Sequence, residues 1–121
     1  MSLIPLREAL PDGRVGPTFT SPFSKKVTYL NTEGVVIPCS AYGNPFPRIE
    51  WIDSNGTRIS SSDEALDVFS NGSIRFQAFR DENFRVRIHS RRLRCRAQNP
   101  VGSIISEEIL VRPGNSLQLF M

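Results

Sequence analysis

The chain has 121 residues, 39% of them hydrophobic, with fifteen Lys and Arg against twelve Asp and Glu, giving a net charge of +3. That is room for one domain with a real core, and no apolar run is long enough to cross a bilayer. Two cysteines and one histidine exclude a disulfide-dense miniature scaffold and a structural zinc site, and nine prolines and eight glycines between short apolar runs exclude helices of ordinary length.

Residues 1–16 contain Pro5, Pro11 and Gly13, follow no period of two or 3.6, and are expected to be an extended or disordered tail. They do not read as a signal peptide, because Arg7, Glu8, Asp12 and Arg14 interrupt the apolar residues. This suggests a piece of a longer secreted or membrane-anchored chain, or a transcript with an altered start. The folded domain is expected over residues 17–113, with 114–121 as a C-terminal tail. Pro17 to Pro22 suits an edge strand, and Lys25 to Leu30 its continuation after a kink, with lysines that discourage further pairing.

Asn31 to Gly34 is a turn, and Val35 to Ser40 is the first cysteine strand. Pro38 removes one ladder hydrogen bond there, so either its nitrogen faces a bulge or the strand is edge-like at that point. Gly43-Asn44-Pro45-Phe46-Pro47 makes a stiff extended connection into Arg48-Ile49-Glu50-Trp51-Ile52. Asn55-Gly56 then gives the strongest short hairpin signal, and Ser60 to Glu64 is a polar loop. Leu66 to Phe69 and Ser73 to Phe79 read as strands joined at Asn71-Gly72. Arg80 to Arg92 is the least regular stretch, with Arg85 to Ile88 alternating like a strand fragment. Past the second cysteine strand, Asn99-Pro100-Val101-Gly102 is a hairpin. Ile104 to Arg112 is the last strand, with Ile105, Ile109 and Val111 of one parity.

Alternation in these strands places Val35, Ile37 and Cys39 on one face, Ile49 and Trp51 on another, and Leu93, Cys95 and Ala97 on a third. Three inward faces then meet at Cys39, Trp51 and Cys95. One Cys39–Cys95 bridge is the economical reading; the alternative is two unrelated thiols in a β protein. Closing a loop of about 57 residues would stabilise the fold by roughly 4 kcal/mol in the chain-entropy model, and such a bridge requires an oxidising compartment.

Cys39, Gly43 to Trp51, and Cys95-Arg96-Ala97-Gln98-Asn99-Pro100-Val101-Gly102 resemble an intermediate-set immunoglobulin domain over about residues 17–113. More narrowly, Asn71 to Phe79, Phe84 to His89 and Asn99 to Ser106 are similar to the first immunoglobulin domain of the Dscam (Down syndrome cell adhesion molecule) family. The resemblance implies an all-β, two-sheet immunoglobulin-like sandwich of I-set type with one inter-sheet disulfide. It also implies an extracellular recognition or adhesion module of a neuronal or immune cell-surface receptor. The family places tyrosine two residues before the second cysteine, where this chain has Leu93. Either a degenerate corner is tolerated or the turn is loose, which bears on the ordering of Asp81 to Ser90.

His89 has no recognisable catalytic partner near it in sequence, and no phosphate loop, metal motif or nucleophile elbow is present. No enzyme, cofactor or nucleic-acid partner is therefore expected, and a membrane would be reached only through an anchor elsewhere in a longer chain. Asn55-Gly56-Thr57 and Asn71-Gly72-Ser73 satisfy the N-glycosylation rule, although Asn-Gly turns need no glycan to explain them. Arg92, Arg94 and Arg96 point outward from one strand. They suit heparan sulfate or another anion, or else a solvated face paired with Glu107 and Glu108. Arg48, Glu50, Ile52, Arg58, Arg94 and Arg96 form the expected interaction face, mixing an exposed isoleucine with both charge signs, which suits a homophilic two-fold contact between immunoglobulin domains. The runner-up roles are a structural spacer and an anion-binding domain. The competing face carries Val36, Pro38, Arg75 and Gln77, with no acid among them.

Overall fold

Alternating apolar residues and frequent turn signals produce ten short strands in a computed structural model that describes residues 9–61 and 65–114. Residues 1–8, the Ser62-Asp63-Glu64 part of the expected polar loop, and residues 115–121 lie outside the described residues. One layer holds the sheet of β3 (Val35–Ile37), β7 (Ile74–Phe76) and β6 (Leu66–Val68) in that order, and a separate two-stranded sheet pairs β1 (Val15–Phe19) with β4 (Ala41–Asn44), which follows β3 in the chain. The other layer runs β2 (Lys26–Tyr29), β10 (Ile109–Pro113), β8 (Arg91–Asn99) and β5 (Arg48–Asp53), with β9 (Gly102–Ile105) also paired to β8. All pairings are antiparallel except β2 with β10, which is parallel. This is the two-sheet immunoglobulin sandwich.

The first strand begins at Val15, two residues inside the stretch expected to be a tail. Leu10 and Arg14 pair across a turn that precedes it, with Gly13 at positive φ. The first cysteine strand is divided rather than bulged. β3 pairs with β7 up to Ile37, the chain breaks at Pro38 to Ser40, and β4 resumes at Ala41 against β1. Pro38 therefore lies where the chain changes partner and its missing N–H leaves no ladder incomplete.

Cys39 and Cys95 are bridged, with Cα atoms 6.6 Å apart. Trp51 is the direct cross-strand neighbour of Cys95, is fully buried, and donates its indole N–H to the Gly72 carbonyl at 2.8 Å. Gly72 has φ +96°, and a Cβ there would collide with the Cys39 carbonyl and crowd Ile49. Leu66, Ile74, Phe76, Leu93, Ile109 and Val111 complete the core around this pin.

The last strand is interrupted. β9 ends at Ile105 and β10 starts at Ile109, and in between Ser106 Oγ accepts from Cys95 N and donates to Glu107 O. The irregularity shifts the phase, so Ile105 is 51% exposed while Ile109 and Val111 are buried. Ile105, though of one parity with Ile109 and Val111, therefore does not share their buried face. The expected strand fragment over Arg85 to Ile88 is instead a helical turn, α1 (Val86–His89), preceded by a 3-10 turn at Asp81–Asn83.

This region is ordered by ring packing. His89 is buried and stacked on Phe79, with centroids 3.7 Å apart, and Phe84 stacks on the Phe79 and His89 rings. The absent corner tyrosine is replaced from another strand. Tyr29 on β2 donates its hydroxyl to the His89 carbonyl at 2.9 Å, while Leu93 is simply core. Burial pushes the Tyr29 phenol well above its usual range.

Tyr29→Phe should destabilise the domain by about 1 kcal/mol and lower its Tm by roughly 4–8 °C; an unchanged melting curve would show that this hydroxyl does not fasten the turn. Gly72→Ala should cost about 1–3 kcal/mol through backbone strain. Denaturant titration measures it, and wild-type stability in this variant would contradict the close approach to Cys39.

Candidate interaction surface

The outer face of β5 and β8 gathers the expected contact residues by register: Arg48 lies opposite Gln98, Glu50 opposite Arg96, and Ile52 opposite Arg94. Arg58 is returned to this face by the Asn55-Gly56 turn. There Asp53 Oδ1 accepts from Asn55 N and Thr57 N, and Gly56 adopts φ +81°. Ile59 N then donates to Trp51 O at 2.8 Å, and Arg58 bridges to Ile52.

These residues assemble around one carboxylate. Arg96 donates to Glu50 Oε1 from Nε at 3.1 Å and from Nη2, and the Nε atoms of Arg48 and Arg58 each lie 3.8 Å from Oε2. The Arg96 hydrogen bonds hold the Glu50 carboxyl below its ordinary value. Burial opposes them, and the charges of Arg96, Arg48 and Arg58 reinforce them. Arg48 and Arg58 keep side chains 70% exposed.

Ile52 departs from expectation. It is 4% exposed, because it sits between Arg94 on β8 and Arg58 on the returning chain rather than at an open edge. Arg94 donates to the Ser106 carbonyl at 3.0 Å, and Arg92 meets Glu108 at 3.2 Å. Each outward arginine of β8 therefore has an acceptor within the chain. Phe46, passed over in the sequence as part of a proline-stiffened connection, is 85% exposed beside this face. Its position between Pro45 and Pro47 was the available signal, since such a segment cannot fold its ring inward by joining a ladder.

The opposite face has the same construction. Asp67 on β6 accepts from Arg75 Nε and Nη2 at 2.9 and 2.7 Å and from Gln77 at 3.0 Å, bringing an acid to a face whose four expected residues held none. Asn55 is exposed at its hairpin tip. Asn71 is exposed as well, but its Oδ1 accepts from the N–H of buried Ser73.

No family model matches the chain. It is 37% identical over 97 residues to cell adhesion molecule Dscam1 of Drosophila melanogaster, covering 80% of this chain and 5% of that protein. It is 33% identical over 94 residues to DSCAML1 of Gallus gallus, covering 78% and 5%. The chain thus spans about 5% of the length of these curated relatives. Among solved structures, the N-terminal four immunoglobulin domains of Dscam1 isoform 1.9 match at TM-score 0.78 and 36% identity, over 84% of this chain and 26% of that one. An eight-domain Dscam structure matches at TM-score 0.76 over 82% and 13%.

Because the Glu50 carboxyl is depressed in the folded state, its contribution is complete above the unfolded value near 4.5 and is lost as pH falls through the lower folded value. Glu50→Gln should therefore lower stability at neutral pH and lose less than wild type on acidification. Parallel stability–pH curves for the two proteins would contradict this.

Proposed function

We propose that the chain is an extracellular immunoglobulin domain of I-set type, related to those of the Dscam cell adhesion molecules, and that it serves as a protein-recognition module of a cell-surface receptor. The reading is carried by its kinship with adhesion molecules over four fifths of the chain. The proposed contact lies on the β5 and β8 face, with Arg48, Arg58 and Arg96 around Glu50. A homophilic two-fold contact through this face would set Arg48 and Arg58 of one copy against those of the other, because Glu50 is already engaged by Arg96. A partner of opposite charge fits better. The internal acceptors of Arg92, Arg94 and Arg96 likewise disfavour heparan sulfate. Asn55 and Asn71 are proposed glycan acceptors, checked by intact mass before and after enzymatic deglycosylation.

Fluorescent, multimerised chain should bind cells at micromolar concentration, with binding removed by surface proteolysis and retained after heparinase. No binding would make the domain a spacer, loss on heparinase treatment would make it an anion-binding module, and self-association in sedimentation would restore the homophilic reading.

A further inference from the structure

Between the edges of the two sheets runs a groove of about 690 Å³, lined by Phe46, Arg48, Ile49, Arg58 and Phe69. Its two walls differ. At β6, the outermost strand of its sheet, the edge is closed: Ser61 Oγ donates to Val68 O at 3.0 Å and accepts from Val68 N at 2.8 Å. At β5, outermost in the other sheet, the cover among the described residues lies past Trp51, in the returning chain at Arg58 and Ile59. Trp51 O and Asp53 N face that return. By the alternation of an antiparallel strand, the N–H and C=O of Ile49 point to the same outer side, where β5 has no strand neighbour among the described residues. Glu50 is the one carboxylate among the described lining residues, and Arg96 holds it, which leaves Arg48 and Arg58 with positive charge in excess beside the exposed Phe46 ring.

We propose that this groove binds an extended acidic segment of a partner protein, added as a strand to the edge of β5. Its backbone pairs with Ile49. Alternate side chains of such a strand point to opposite faces, so one set brings carboxylates to Arg48 and Arg58 while the other packs apolar groups against Phe46 and Phe69. The inference deepens the recognition reading and rests on it.

The probe is a fluorescent peptide of about seven residues alternating Asp or Glu with Leu or Val, with a control in which Lys replaces each acid. The acidic peptide should bind the 121-residue chain, shift the Ile49 amide resonance, and weaken as salt is raised. Arg48→Glu with Arg58→Glu should weaken it about tenfold or more, and Phe46→Ala should weaken it as well, with circular dichroism unchanged in both. Absence of binding at about 1 mM peptide, equal binding of the Lys control, or indifference to the double reversal would overturn the proposal. So would binding to Asn71→Gln but not to glycosylated wild type, since the groove would then belong to a glycan. If the double variant stains cells as wild type does, the groove assignment falls and the recognition reading stands. If wild type stains no cell yet binds the peptide at Ile49, the recognition reading falls and the groove chemistry stands.

Discussion

The Cys39–Cys95 bridge and the tryptophan beside it set the position of every other element. A bridge alone would fix one distance between two layers. Trp51 turns it into a fixed geometry by filling the space next to Cys95 and tying its indole N–H across to Gly72. Gly72 in turn passes so close to Cys39 that no side chain fits there. The three contacts form a closed circuit through both sheets, so β3, β5, β7 and β8 cannot slide independently. Strand register, and with it the placement of the surface residues, follows from that circuit.

Charge is handled alike on the two faces. Glu50 serves Arg96, Arg48 and Arg58 on one, and Asp67 serves Arg75 and Gln77 on the other. In both cases one partly shielded carboxylate gathers longer polar side chains around it. A basic sequence thereby presents less free charge than its composition suggests. The exception is the margin of β5, where Arg48 and Arg58 share an acid already committed elsewhere.

Much of this was legible in the sequence because period-two alternation fixes facing residues without knowledge of their partners. Val35, Ile37, Leu93 and Ala97 fall on the expected sides of their strands. What escaped depends on neighbours distant in the chain. Ile52 alternates outward but is enclosed by Arg58, which arrives only through the hairpin. Ile105 keeps the parity of Ile109, yet the irregularity at Ser106 reverses its face. Val86 to Ile88 alternate like a strand, but ring stacking of His89 on Phe79 favours a helical turn. Tyr29 supplies the corner hydrogen bond from 60 residues away, which no local pattern announces.

The parallel pairing of β2 with β10 bears on how the domain would carry tension. Lys26 lies beside Leu110 and Tyr29 beside Pro113, so a pull entering ahead of β2 and leaving beyond β10 acts along both strands in opposite senses. Their hydrogen bonds then share the load in shear instead of opening one by one like a zipper. If that patch yielded, the covalent link between residues 39 and 95 would still keep the intervening chain out of the stretched length. A domain built this way gives a short, bounded extension under force and keeps its tryptophan-pinned centre intact.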